Sequence, residues 1–173
     1  MKQLGLLQGH TPIVFSPDGK YLISSGDNTV RLWNVATQKQ AGILMGYTWE
    51  VWAVAFSPDG KTLASGDMDG VVRLWDVQTQ KPIGLLQGIS GPINSVAFSP
   101  DGKYLASSSG WNDSNIHSWD VAEQKQVTVL QGHTHWVNSV TFSKDGKWLA
   151  SGGGGNINNI LLWEVNAYTA SKH

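Results

Sequence analysis

"FSPDGKYLAS", Phe98–Ser107, decides the fold, because the chain says it four times. Close relatives of the phrase begin at Phe15, Phe56 and Phe142, and the four phenylalanines stand 41, 42 and 44 residues apart. A fixed period of this size marks a repeat array. Inside the phrase, Pro and Gly take the second and fourth positions of a type I turn, so "SPDG" predicts a tight hairpin between two strands. Each copy then ends in an apolar stretch carrying Trp: "VRLWNV" from Val30, "VRLWDV" from Val72, "IHSWDV" from Ile116 and "LLWEV" from Leu161. A third phrase, "LLQG" or a variant, closes on Gly9, Gly46, Gly88 and Gly132. These stretches are short, β-compatible and bounded by turn formers, so one copy is a four-stranded antiparallel unit with strands a, b, c and d in chain order. Apolar residues fall on both faces of "VRLWDV", as in a sheet covered on both sides by similar sheets.

Composition narrows the functional classes. At 173 residues with 40% hydrophobic content, the chain is a single domain, 1–173, of ordinary globular character. Twelve Lys and Arg face thirteen Asp and Glu without a basic run, so neither nucleic acid nor a membrane surface is an expected partner. The absence of Cys excludes disulfides and thiolate metal sites and is compatible with a reducing cytosol, so the cytoplasm is the expected compartment. The opening "MKQLGLLQGH" is too weakly apolar for a signal peptide, and no run approaches the length of a membrane span.

With the period, the turn phrase, the pairs Trp75-Asp76 and Trp119-Asp120, and the pairs Gly9-His10 and Gly132-His133, the chain resembles the WD-repeat β-propellers over nearly its whole length. The resemblance implies an all-β propeller of four-stranded antiparallel blades, four per chain. Its expected parts are an N-terminal closing strand at 4–9, repeats at 10–46, 47–88, 89–132 and 133–166, and a short tail. It also implies a hydrogen-bonded His, Ser or Thr, Asp and Trp in each blade. Here that set is patchy. Copy one offers His10, Ser25, Asp27 and Trp33, but its strand a must be short, with fewer residues between its Gly and Phe than the others have. Copy two keeps Asp69 and Trp75 with Tyr47 in place of His. Copy three keeps Asp113 and Trp119 with Ile89 in place of His, and copy four keeps His133 and Trp163 with Ile157 in place of Asp.

Catalytic readings fail on chemistry. His10, Ser25 and Asp27 suggest a nucleophilic triad only if an exposed Ser and an oxyanion hole accompany them, and no nucleophile-elbow phrase is present. "SGGGGNINN" from Ser151 lacks the Lys-Ser/Thr ending of a phosphate loop and leads into a strand. His133 and His135 point to opposite faces if extended, so they make no metal pair. No catalytic, cofactor or metal site is expected.

Two expectations about assembly and binding follow. The chain opens with an orphan d strand, "LGLLQG", and closes after a strand c, so its ends are complementary. A homodimer completing an eight-bladed ring accounts for this with no edge left over; a closed four-bladed monomer, or a fragment of a longer array, are the alternatives. The a–b turns read "SPDGK" or "SKDGK" and the c–d turns "ATQK", "QTQK" or "AEQK", whereas the d–a and b–c connections diverge and collect large side chains. Trp49, Glu50, Trp52, Met68, Trp111, Asn112, His135 and Trp136 lie there, aromatic anchors among polar groups of the kind that protein-binding hot spots are made of. The expected function is a non-catalytic scaffold binding a protein or peptide on this face, with a lectin-like or other small-ligand propeller as the alternative.

Overall fold

A computed structural model describes residues 12–154 and 159–165 of the chain. Fifteen strands are described: β1 (Ile13–Phe15), β2 (Tyr21–Ser25), β3 (Val30–Asn34), β4 (Lys39–Leu44), β5 (Val51–Phe56), β6 (Thr62–Asp67), β7 (Val72–Asp76), β8 (Lys81–Leu86), β9 (Ile93–Phe98), β10 (Tyr104–Ser109), β11 (Ile116–Asp120), β12 (Lys125–Leu130), β13 (Val137–Phe142), β14 (Trp148–Gly153) and β15 (Ile160–Glu164). They form three four-stranded antiparallel sheets, β1–β4, β5–β8 and β9–β12, and a three-stranded sheet, β13–β15. Strand a of blade one, β1, is half the length of β5, as its missing residues require. The orphan strand at 4–9, together with His10 and Ile157, lies outside the described residues.

The hairpin phrase folds for identifiable reasons. In each a–b turn the Gly N–H donates to the Ser carbonyl three residues back, at 2.8–2.9 Å in all four blades. That Gly sits at φ 70–72°, a left-handed conformation that an L side chain resists. The Ser hydroxyl donates to the Asp two residues on, Ser16 to Asp18 at 2.7 Å and Ser57 to Asp59 at 2.6 Å, and the Asp accepts the next Lys N–H. Stabilised as an anion by the Ser16 hydroxyl and the Lys20 amide, the Asp18 carboxyl is lowered to about 2.

Cores form between the blades. Ile23, Leu32, Val51, Phe56 and Trp75 pack together at the junction of blades one and two. Leu74, Leu86, Ile93, Leu105 and Trp119 do so between two and three, and Ile116, Val137 and Leu149 between three and four. Adjacent outer strands are tied by glutamine: Gln80 donates its amide to the Ala41 carbonyl at 3.2 Å, and Gln124 to the Ile83 carbonyl at 2.7 Å. Gly42 and Gly84 lie beneath these side chains, where a Cβ would collide with the carboxamide. Gln38, Gln80 and Gln124 all hold φ of 55–57°.

Candidate functional site

Each blade carries a hydrogen bond from the Trp of strand c to a Ser of strand b. Trp33, Trp75, Trp119 and Trp163 donate Nε1–H to Ser24, Ser65, Ser107 and Ser151 at 2.8–2.9 Å. In blade one this corrects the sequence reading: the acceptor is Ser24, and the Ser25 hydroxyl is buried with no partner among the described residues. Adjacent residues of a strand face opposite sides, so only one of the two can meet the indole. At the d–a position, the Tyr47 hydroxyl lies 2.6 Å from Ser65 and His133 Nε2 lies 2.7 Å from Ser151. Burial pushes the Tyr47 phenol well above its ordinary range and lowers His133 below 6.5.

The acids of the b–c connections do not bond the indoles; they pair with a cationic or imidazole residue two positions before the Trp. Asp27 accepts from Arg31 at 2.8 Å, Asp67 from Arg73, and Asp113 lies 2.7 Å from His117 Nε2. In blade two the acid is therefore Asp67, fully buried, and Asp69 is exposed and contributes only its backbone N–H to Asp67. The blade-two connection is arranged so that the last residue of β6 reaches Arg73, whose guanidinium also lies 4.9 Å over the Tyr47 ring. "VRLW", "VRLW" and "IHSW" carried this signal, a basic or imidazole side chain at one repeat position in three copies.

At the loop end, the sequence-predicted residues separate into groups. Trp52 is the extra residue of a β-bulge: Val51 pairs with Asp67 and Ala53 with Gly66, so Trp52 has no opposite number. A bulge re-aims its side chain. The Trp52 ring meets Trp111 of the next blade edge to face, centroids 6.5 Å apart and planes at 80°, and its Nε1–H donates to Glu50 Oε2 at 3.1 Å. Trp111 holds φ 59°, unusual for a bulky residue, and is 65% exposed. Met68 joins this group through its N–H to the Glu50 carbonyl at 3.1 Å, while Asn112, next to Trp111, turns back on its own loop, donating its N–H to the Gly110 carbonyl at 2.8 Å. Trp136 lies elsewhere, over Gly154 in blade four, with His135 exposed beside it and hydrogen-bonded to Thr134; Trp49 is exposed. Among the described residues no three His, Asp or Glu side chains gather as metal ligands, and no helix is long and apolar enough to cross a membrane.

Sheets of antiparallel strands joined through apolar junctions, each sheet with an internal Trp–Ser bond, define blades of a propeller-type repeat protein. The family described as WD domain, G-beta repeat, matches at residues 1–34, 38–76, 80–120 and 124–158, and the chain belongs to it. Among curated proteins, the chain is similar to Periodic tryptophan protein 2 of Arabidopsis thaliana, 43% identical over 38% of this chain and 8% of that protein. It is also similar to guanine nucleotide-binding protein subunit beta-1 of Caenorhabditis briggsae, 38% identical over 35% of this chain and 19% of the relative. Target of rapamycin complex subunit wat1 of Schizosaccharomyces pombe is 40% identical over 34% and 19%. These matches span at most about a fifth of each relative's length.

Proposed function

We propose that the chain is a non-catalytic scaffold that docks a protein or peptide on the face formed by its d–a and b–c connections. One observation carries this reading: the turns at one end of the blades repeat almost unchanged, while the connections at the other hold four of the nine Trp residues, Trp49, Trp52, Trp111 and Trp136, with three of them more than 40% exposed. Large aromatic side chains kept out of a core that is already filled are suited to anchoring a partner. Two relatives, one named as a complex subunit and one as a G-protein subunit, support the same class of role. The test is a displayed random-peptide library selected on the protein. Trp52→Ala with Trp136→Ala should abolish enrichment while mass and melting temperature hold, and Lys61→Ala at the opposite end should leave enrichment unchanged. Equal enrichment by the double variant overturns the reading.

The same proposal includes a second copy of the chain as the closing partner, giving eight blades. Phe15 and Phe56 hold the same repeat position, yet Phe15 is 60% exposed and Phe56 8%. Leu162 and Leu74 likewise share a position, at 62% and 1%. The residues left open on blades one and four are those that cover one another at the internal junctions, so a copy's own blade one is a surface shaped for another's blade four. Light scattering should give twice the 18.8 kDa chain mass; a folded species of one chain mass excludes the dimer.

A further inference from the structure

The loop end is polarised in charge as well as in side-chain size. Every lysine of the described residues sits in or beside an a–b or c–d turn, and the loop end has none. Its described cations, Arg31 and Arg73, are committed to Asp27 and Asp67, and Asp113 is matched by His117. Glu50 and Asp69 have no cationic partner among the described residues. Glu50 accepts the Trp52 indole N–H at the edge of that ring, and the Trp52 and Trp111 planes stand 80° apart. Two features aim these rings: the bulge that singles out Trp52, and the left-handed backbone at Trp111. The corresponding bulge residue in blade three is Asn94, whose amide donates to the Val137 carbonyl of blade four at 3.1 Å. In blade two the same bulge instead holds an indole that no neighbouring backbone uses.

We propose that Trp52, Trp111 and Glu50 form a pocket for one cationic side chain, the guanidinium or ammonium of an Arg or Lys in the docked peptide. An indole face attracts a cation through its quadrupole, and the Glu50 carboxylate at the edge of the Trp52 ring adds direct charge attraction. The planar guanidinium stacks on an indole and presents two N–H groups to a carboxylate, so arginine is the preferred occupant. Among the described residues this face carries no lysine, so an approaching basic segment meets no like charge from them except the two committed arginines. This inference rests on the docking face proposed above and names the chemistry that the face selects.

The probes are capped pentapeptides, acetyl-Gly-Gly-Xaa-Gly-Gly-amide, with Xaa as Arg, Lys, Leu or Glu, titrated against the full chain. The readout is the indole N–H resonances, with those of Trp52 and Trp111 assigned from Trp52→Phe and Trp111→Phe. The Arg and Lys peptides should move both resonances and bind at least tenfold more tightly than the Leu peptide, with no shift from the Glu peptide. Glu50→Gln should weaken the Arg peptide about five- to tenfold while preserving the Trp52 hydrogen bond to a side-chain oxygen. Trp111→Gly accepts the left-handed backbone without strain, so the melting temperature should hold while the Arg peptide is lost, a combination that separates binding from folding. Equal shifts from Leu and Arg peptides, or none from either, overturn the pocket. If library enrichment depends on Trp136 and is indifferent to Trp52 and Trp111, the pocket is wrong and the docking face stands; if nothing enriches, the face itself is wrong.

Discussion

Blade two and blade four share their Trp–Ser pattern and differ in their neighbours and in the strands described, four in blade two and three in blade four. In both, the Trp of strand c donates to the Ser of strand b at 2.9 Å, and a d–a ring, Tyr47 or His133, reaches the same Ser. Trp75 is nonetheless buried and Trp163 half-buried, and Ile160 is 82% exposed where Val72 is fully buried. The hydrogen bonds are made within a blade and survive without a neighbour, whereas the apolar burial is made between blades and disappears with one. Stability in such an array is a sum of blade terms and junction terms, and the second kind dominates at interior positions.

The largest expected effect tests that division. Trp75→Ala removes a side chain packed at a complete junction and should cost about 3–5 kcal/mol in denaturant unfolding. Trp163→Ala should cost roughly 1–2 kcal/mol at low chain concentration, because less apolar area leaves water. Raising the concentration should widen the second loss if a second copy covers blade four; a concentration-independent value separates blade four from any such junction.

Ser24→Ala should destabilise by about 1–3 kcal/mol, since the buried indole N–H of Trp33 loses its acceptor, while Ser25→Ala should fall within about 0.5 kcal/mol of the parent. Equal losses would mean that the blade-one bond is not local to Ser24. Gln124→Ala should cost about 0.5–1.5 kcal/mol, the worth of one hydrogen bond across the second junction, and should speed hydrogen exchange in β8 before β6.

The smallest effect is a pH dependence confined to blade four. Because burial lowers His133 below 6.5, the unfolded chain takes up the proton first as the pH falls. The His133 contribution is therefore complete above pH 6.5 and is lost as the pH falls through its depressed folded value. His133→Asn should flatten the melting temperature between pH 7 and 5 relative to the parent; unchanged slopes would show that His133 does not titrate between the two states.

The repeat phase, the four-strand plan and the turn chemistry were legible because each is written several times in local residues such as Gly60 and Pro58. Single-residue choices were not. Ser24 and Ser25 differ only in which side of β2 they face, and Asp67 and Asp69 only in how the b–c connection coils, both settled by packing across strands. Trp52 as a bulge residue was equally invisible, since bulges depend on pairing register. The Arg73 position and the glutamine of "TQK" and "EQK" were visible repeats whose meaning lies in contacts between strands and blades.

Those glutamines give the array a seam. Gln80 and Gln124 fasten the first two junctions at the outer rim, over Gly42 and Gly84, but the matching position in β12 is Thr128, which leaves no such hollow. The third junction is fastened instead at the inner strands, by Asn94 to Val137 and by the Val140 N–H to the Ser95 hydroxyl at 3.3 Å. Among the described residues the third junction is held by these polar contacts of its inner strands and by apolar packing that reaches Val127 and Leu130 of β12. One pattern of rim clasps therefore does not run along all the described blades, and stripping Gln80 and Gln124 loosens the first two junctions while leaving the inner bonds of the third in place.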